Sequence, residues 1–147
     1  LRAPQRRQRN ILMLHETVTP EGWAPAKGYA NGVVATGRML FLGGQIGWNA
    51  DQVFETDDFI EQMTQTLENI KAILVAAGGG PEHLTRLTWF VTDKAEYAAN
   101  QRQVGQAYRS VLGNNFPAMS LLVVADLLED RAKIEIEATA VLPGSSH

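Results

Sequence analysis

Residues 133–139, Lys133-Ile134-Glu135-Ile136-Glu137-Ala138-Thr139, alternate apolar and polar side chains one for one. Successive side chains of a β-strand point to opposite faces, so this run predicts a strand that buries Ile134, Ile136 and Ala138 and turns Glu135, Glu137 and Thr139 the other way. No other segment constrains the fold as tightly, because only a sheet covered on one side suits it. A carboxylate so placed is either a solvated group or a proton carrier. The second case needs another chain to cover that face and make the charge costly to keep.

The rest of the chain organises around this strand. Residues 33–36 and 39–42 are β-prone runs that the Gly37-Arg38 step is expected to join as a hairpin, and residues 15–18 predict a preceding edge strand. Residues 19–32, with Pro20, Gly22, Pro25, Gly28 and Gly32, form a loop. Over residues 58–77, Phe59, Met63, Leu67, Ile70, Leu74 and Ala77 recur every three or four positions and predict a helix, opened by Asp58 with Glu61 and closed by Gly78-Gly79-Gly80-Pro81. Residues 84–91 predict a strand with Leu87, Trp89 and Val91 on one face. Asp93 with Glu96 opens a second helix, expected to run to about Leu112. Residues 119–124 and 133–142 are the last strands, joined through the charged turn 126–130.

The order is β-β-β-α-β-α-β-β, an α+β domain over residues 13–142. Residues 1–12 are expected to be a mobile basic leader and residues 143–147 a tail. Two amphipathic helices cover one face of such a sheet. The other carries Glu135 and Glu137 together with Thr139, Val141, Thr88 and Phe90, too apolar for water. Burial by self-association in a closed ring is the simplest solution.

Composition removes whole classes of chemistry. The 147 residues include no cysteine, which excludes disulfides, thiolate nucleophiles and cysteine-bound metals. The histidines His15, His83 and His147 have no metal-ligand spacing, and no metal is expected. The apolar runs are too short to span a bilayer and the first residues lack the core of a secretory signal, so a cytoplasmic protein is expected. The formal charge of −3 hides an uneven distribution: residues 11–147 hold 9 Lys and Arg against 16 Asp and Glu, a net of −7. Such a body repels a phosphate backbone, and no nucleic-acid partner is expected.

Gly43-Gly44-Gln45-Ile46, Gln62, Asn69-Ile70, Asn100, the segment Phe116-Pro117-Ala118-Met119-Ser120 and the Glu135 strand together closely resemble the RidA/YjgF family of small trimeric enamine/imine deaminases. The resemblance covers about residues 15–142. It implies a chorismate-mutase-like fold, a homotrimer whose sheets close into a central barrel, ligand clefts between subunits, and no cofactor. By the same resemblance Glu135 is the catalytic group that holds and activates water. Tyr29, Gly43, Gly44, Asn100, Met119 and Trp48 are the substrate-binding residues it implies, with Trp48 a stacking wall.

Each has a plainer alternative. Gly43-Gly44 also reads as a β-bulge, Glu135 as a surface acid paired with Lys133 or Arg131, Asn100 as a helix-surface amide, and Trp48 as core. Glu137 is either an auxiliary to Glu135 or a salt-bridge partner. One position departs from the family: an arginine that grips the substrate carboxylate is expected where this chain has Met119, and Leu121 replaces the usual cysteine. A thioether offers an apolar wall instead of a guanidinium fork.

The function these features imply is hydrolysis of a reactive enamine or imine to a carbonyl compound and ammonia, on a small-molecule substrate other than a simple α-imino acid. The alternative is a non-catalytic small-molecule-binding or protein-interaction trimer of the same fold. An endoribonuclease, an activity attributed to some relatives, fits the acidic body poorly.

Overall fold

Helix α1 (Phe59–Ala76) carries the largest apolar stripe of the chain, and the sheet is laid against it. The computed structural model describes residues 14–144; the leader expected at residues 1–12 and residues 145–147 of the expected tail lie outside the described residues. Phe59, Met63, Leu67, Ile70 and Leu74 are all buried, at the helical spacing that the sequence shows. Asp58 caps the helix by accepting the Glu61 N–H at 3.0 Å.

Strands β1 (Glu16–Val18) and β2 (Gly32–Val34) pair antiparallel as a small separate sheet. Strands β3 (Arg38–Ile46), β4 (Leu84–Val91), β5 (Ala118–Val123) and β6 (Ile134–Leu142) make the main sheet in the order β3-β6-β4-β5. Strand β6 runs antiparallel to both neighbours while β4 and β5 are parallel, so the sheet is mixed and the fold α+β. The pattern at residues 134–139 is borne out: Ile134, Ile136 and Ala138 are buried, whereas Glu137 is exposed and Glu135 and Thr139 lie between.

Two expected pairings and one helix differ. The hairpin expected at residues 33–42 does not form, because β2 pairs with β1 and β3 with β6. Gly37, at φ +150°, lies so close to the Leu142 carbonyl that a Cβ has no room there, and the chain turns at this point onto β6. The last two strands are not neighbours, since β4 lies between them. The second helix breaks into α2 (Lys94–Ala99) and α3 (Gln101–Leu112) at Asn100. The Asn100 side chain donates to the Glu96 carbonyl at 2.7 Å, a local bond that competes with helix continuation.

Helices α1 and α3 cover one face, where Leu87, Trp89, Val91, Ile134 and Ile136 join the core. The other face is open. It exposes Met39 at 62% and Phe41 at 71%, beside Phe90 and Glu135. Two histidines take packing roles: His83 is buried, its Nδ1 accepts the Gly80 N–H at 3.0 Å, and His15 Nε2 donates to its carbonyl, while His147 lies outside the described residues.

Gln62 is fully buried in the apolar stripe of α1 and makes three hydrogen bonds. Its Nε2 donates to the carbonyls of Thr56 (3.1 Å) and Arg131 (2.9 Å), and its Oε1 accepts the Lys133 N–H at 2.9 Å. The amide thereby ties α1 to the residues that enter β6. Gln62→Leu keeps the volume and strands those groups, so a loss of about 3 kcal/mol is expected. A urea midpoint lowered at unchanged slope checks it.

Candidate functional site

Strand β3 carries one irregularity. Leu42 pairs with Ala138 and Gln45 with Ile136, so Gly43 and Gly44 both stand opposite the single residue Glu137. The Gly-Gly pair is thus a β-bulge, the plainer of its two alternatives. The bulge nevertheless has a chemical consequence at Gly44. A Cβ built there falls 2.8 Å from the Glu135 Cδ and 3.0 Å from its Oε1, so the Glu135 carboxyl lies directly over a bare stretch of backbone. Around Gly43 there is open space.

Glu135 sits between Ile46 on β3 and Phe90 on β4, on the open face. Both nearby cations are engaged elsewhere. Lys133 Nζ is 3.3 Å from Glu96 Oε2, and Arg131 Nε is 2.9 Å from Asp57 Oδ1 with its guanidinium 5.5 Å from the Phe54 ring centre. The Glu135 side chain has no ion pair or hydrogen bond among the described residues. Glu137 is exposed and borders a hollow on the same face with Phe41, Arg86 and Thr88.

Tyr29 and Met119 form a second group. The Ala30 N–H donates to the Pro117 carbonyl at 2.9 Å and Ala30 bridges to Ala118, which pins the loop before β2 to the start of β5. Both residues border a cavity of about 500 Å³, with Trp89, Tyr97, Leu121 and Arg109 among its walls. Met119 pairs with Leu87 and Leu121 with Trp89, so their side chains share the helix-covered face of the sheet. Glu135 pairs with Phe90 and is on the other face. One protomer therefore does not bring Glu135 and Met119 together.

The other two expected site residues hold structure. Asn100 closes α2 through its bond to Glu96 and borders neither group. Trp48 packs on Phe54 with ring centres 5.9 Å apart, while Asn69 Nδ2 donates to the carbonyls of Ile46 (3.0 Å) and Trp48 (2.8 Å). Asn69 and Gln62 are the residues whose role sequence reasoning missed: together they fix the end of β3 and the start of β6, the two segments that flank Glu135. Gln62 falls between Phe59 and Met63 on an otherwise apolar stripe, and a polar residue at such a position was the available signal. Among the described residues no three His, Asp or Glu side chains cluster to hold a metal, and no helix is long and apolar enough to cross a membrane.

The family model described as endoribonuclease L-PSP matches residues 19–142. A RutC family protein of Pasteurella multocida is 37% identical over 108 residues, 74% of this chain and 83% of the relative. The 2-iminobutanoate/2-iminopropanoate deaminase of Escherichia coli is 36% identical over 129 residues, 87% of this chain and 98% of the relative. Among solved structures, the Rid family protein YyfB of Yersinia pestis matches with a TM-score of 0.79 at 32% identity, covering 88% of this chain and 100% of that one.

Gly44→Ala keeps an allowed backbone but drives a methyl group into Glu135. The expected result is a carboxyl displaced by about an ångström from its place over β3, since a Cβ needs roughly 3.4 Å or more from such atoms. A crystal structure of the variant checks it.

Proposed function

This chain belongs to the endoribonuclease L-PSP family, the RidA/YjgF group, and from that membership we propose that it hydrolyses a reactive imine, formed from its enamine, to a carbonyl compound and ammonia. The observation that carries the proposal is Glu135: a strand carboxylate laid over Gly44, with both neighbouring cations bound to other acids. The enamine first tautomerises to the imine. Water held by Glu135 adds to the C=N carbon as Glu135 takes its proton, and the same carboxyl returns a proton to nitrogen so that ammonia leaves. Imines are already labile in water, so positioning alone supplies a useful share of the rate.

The site is completed between copies of the chain. Glu135 and Gly44 lie on the open face and Tyr29 and Met119 at the β5 edge on the covered face, so they meet only if one protomer's edge reaches another's open face. The exposed Met39 and Phe41 favour covering that face, and a homotrimer closes such a contact. Sedimentation is expected to give three times the 16.1 kDa of one chain.

The deaminase from Escherichia coli acts on 2-imino acids by its name. Met119 supplies no fork for their carboxylate, so a different substrate is proposed here. The same residue favours a second reading, a trimer that binds a small molecule without turning it over. Ammonia release separates the two. Cleavage of RNA, which the family's description suggests, is opposed by the excess of acids over cations.

Glu135→Gln is expected to lower kcat for ammonia release from an imine panel by about 10²-fold or more with the fold intact by circular dichroism. Unchanged rates overturn its role. Met119→Arg is expected to raise turnover of 2-iminobutanoate about tenfold, read in the same assay.

A further inference from the structure

The cavity beside Met119 has a composition unlike the rest of the surface. Its inner wall is a stack of rings: Trp89 lies on Tyr108 with centres 6.1 Å apart and 23° between planes, and Tyr108 on Phe116 at 5.1 Å and 13°. Met119 and Leu121 extend that wall and Tyr97 faces it from α2. Trp89 and Tyr108 are each 3% exposed and back this wall, so a ligand would meet the part-exposed Phe116, Met119, Leu121 and Tyr97, polarisable apolar groups that suit an aromatic ring.

Two further observations are independent of the rings. Trp89 is only 3% exposed, and its indole N–H has no hydrogen-bond partner among the described residues. A buried donor left without an acceptor is uncommon in a native fold. The charge distribution is as uneven. Of 9 cations and 16 acids among the described residues, Arg109 and Lys27 border the cavity and no acid does. Neither cation is ion-paired among the described residues. The Arg109 guanidinium folds back over Gly105 one turn earlier on α3, where a Cβ would stand 3.2 Å from Nη1, so a larger residue at 105 crowds it away from the lip.

We propose that this cavity takes an aryl-bearing carboxylic acid, in its imine or enamine form, with the ring against Phe116, Met119 and Leu121 and the carboxylate on Arg109 and Lys27. The anion-binding role that an arginine at position 119 would serve has moved to the rim, and the space it vacates holds the ring. The binding follows from the cavity alone; the hydrolysis rests on the reaction proposed above. In that step water adds across C=N, the C–N bond breaks, the water oxygen becomes the carbonyl oxygen, and nitrogen leaves as ammonia with both water protons.

Calorimetric titration of the full chain with 3-phenylpropionate, propionate and 3-phenylpropan-1-ol tests the pocket without turnover. The aryl acid is expected to bind at least tenfold tighter than either of the others. The exposed-site double variant Arg109→Gln/Lys27→Gln is expected to weaken the acid about tenfold and leave the alcohol within twofold. Equal affinity for propionate, no measurable binding of the aryl acid, or an unchanged affinity in the double variant overturns the proposal. Ammonia release from aliphatic imines without aryl-acid binding sinks this inference alone. Aryl-acid binding without ammonia release from any imine supports the pocket and sinks the hydrolase reading alone.

Discussion

The position of Glu135 depends on one buried, uncharged amide, that of Gln62. Gln62 sits in the stripe of α1 that otherwise holds only apolar side chains and Thr66, and joins that helix to the backbone on either side of Ala132. Gly47 allows the contact to be this close: a Cβ there would fall 2.7 Å from the Gln62 Cβ and 2.8 Å from its carbonyl oxygen. Asn69, two turns on, holds the backbone of Ile46 and Trp48 in the same manner. Since every polar atom in a dry interior needs a partner, these amides tolerate one arrangement of β3 against β6 and no slipped alternative. The register that sets Glu135 over Gly44 follows.

Electrostatics then isolates the carboxylate. Lys133 is two residues away but precedes the first residue of β6, and it reaches Glu96 on α2. Arg131 turns to Asp57 and Phe54 at the foot of α1. Each cation thus strengthens the seam between the helical layer and β6, and none neutralises Glu135. On the opposite side of the sheet Met119 and Leu121 make the β5 edge apolar, while Arg109 and Lys27 bring positive charge to its rim. Glu135 and the cavity beside Met119 thus lie on opposite faces of one sheet.

The errors of sequence reasoning share a cause. The apolar runs at residues 33–36 and 39–42 satisfy a hairpin pattern, and nothing local reveals that β6 is the longer and better partner for β3. The Asp93-to-Leu112 segment has helical periodicity throughout, and the break at Asn100 comes from its own side chain taking the Glu96 carbonyl.

What the amino-acid sequence determined by itself was local and periodic: the one-for-one alternation of β6, the 3.6-residue stripe of α1, the Asp58 and Asp93 caps, the glycine stop after α1, and hence an α+β domain with a half-apolar open face. Those features depend on side-chain direction along a single element, which covalent geometry dictates. Tertiary structure alone decided which strands pair, that Gly44 lies under Glu135, that Lys133 and Arg131 leave it unpaired, and that Met119 and Arg109 border one cavity. These are contacts between residues far apart in the chain, and their energies depend on what each group finds across the gap once the layers have closed.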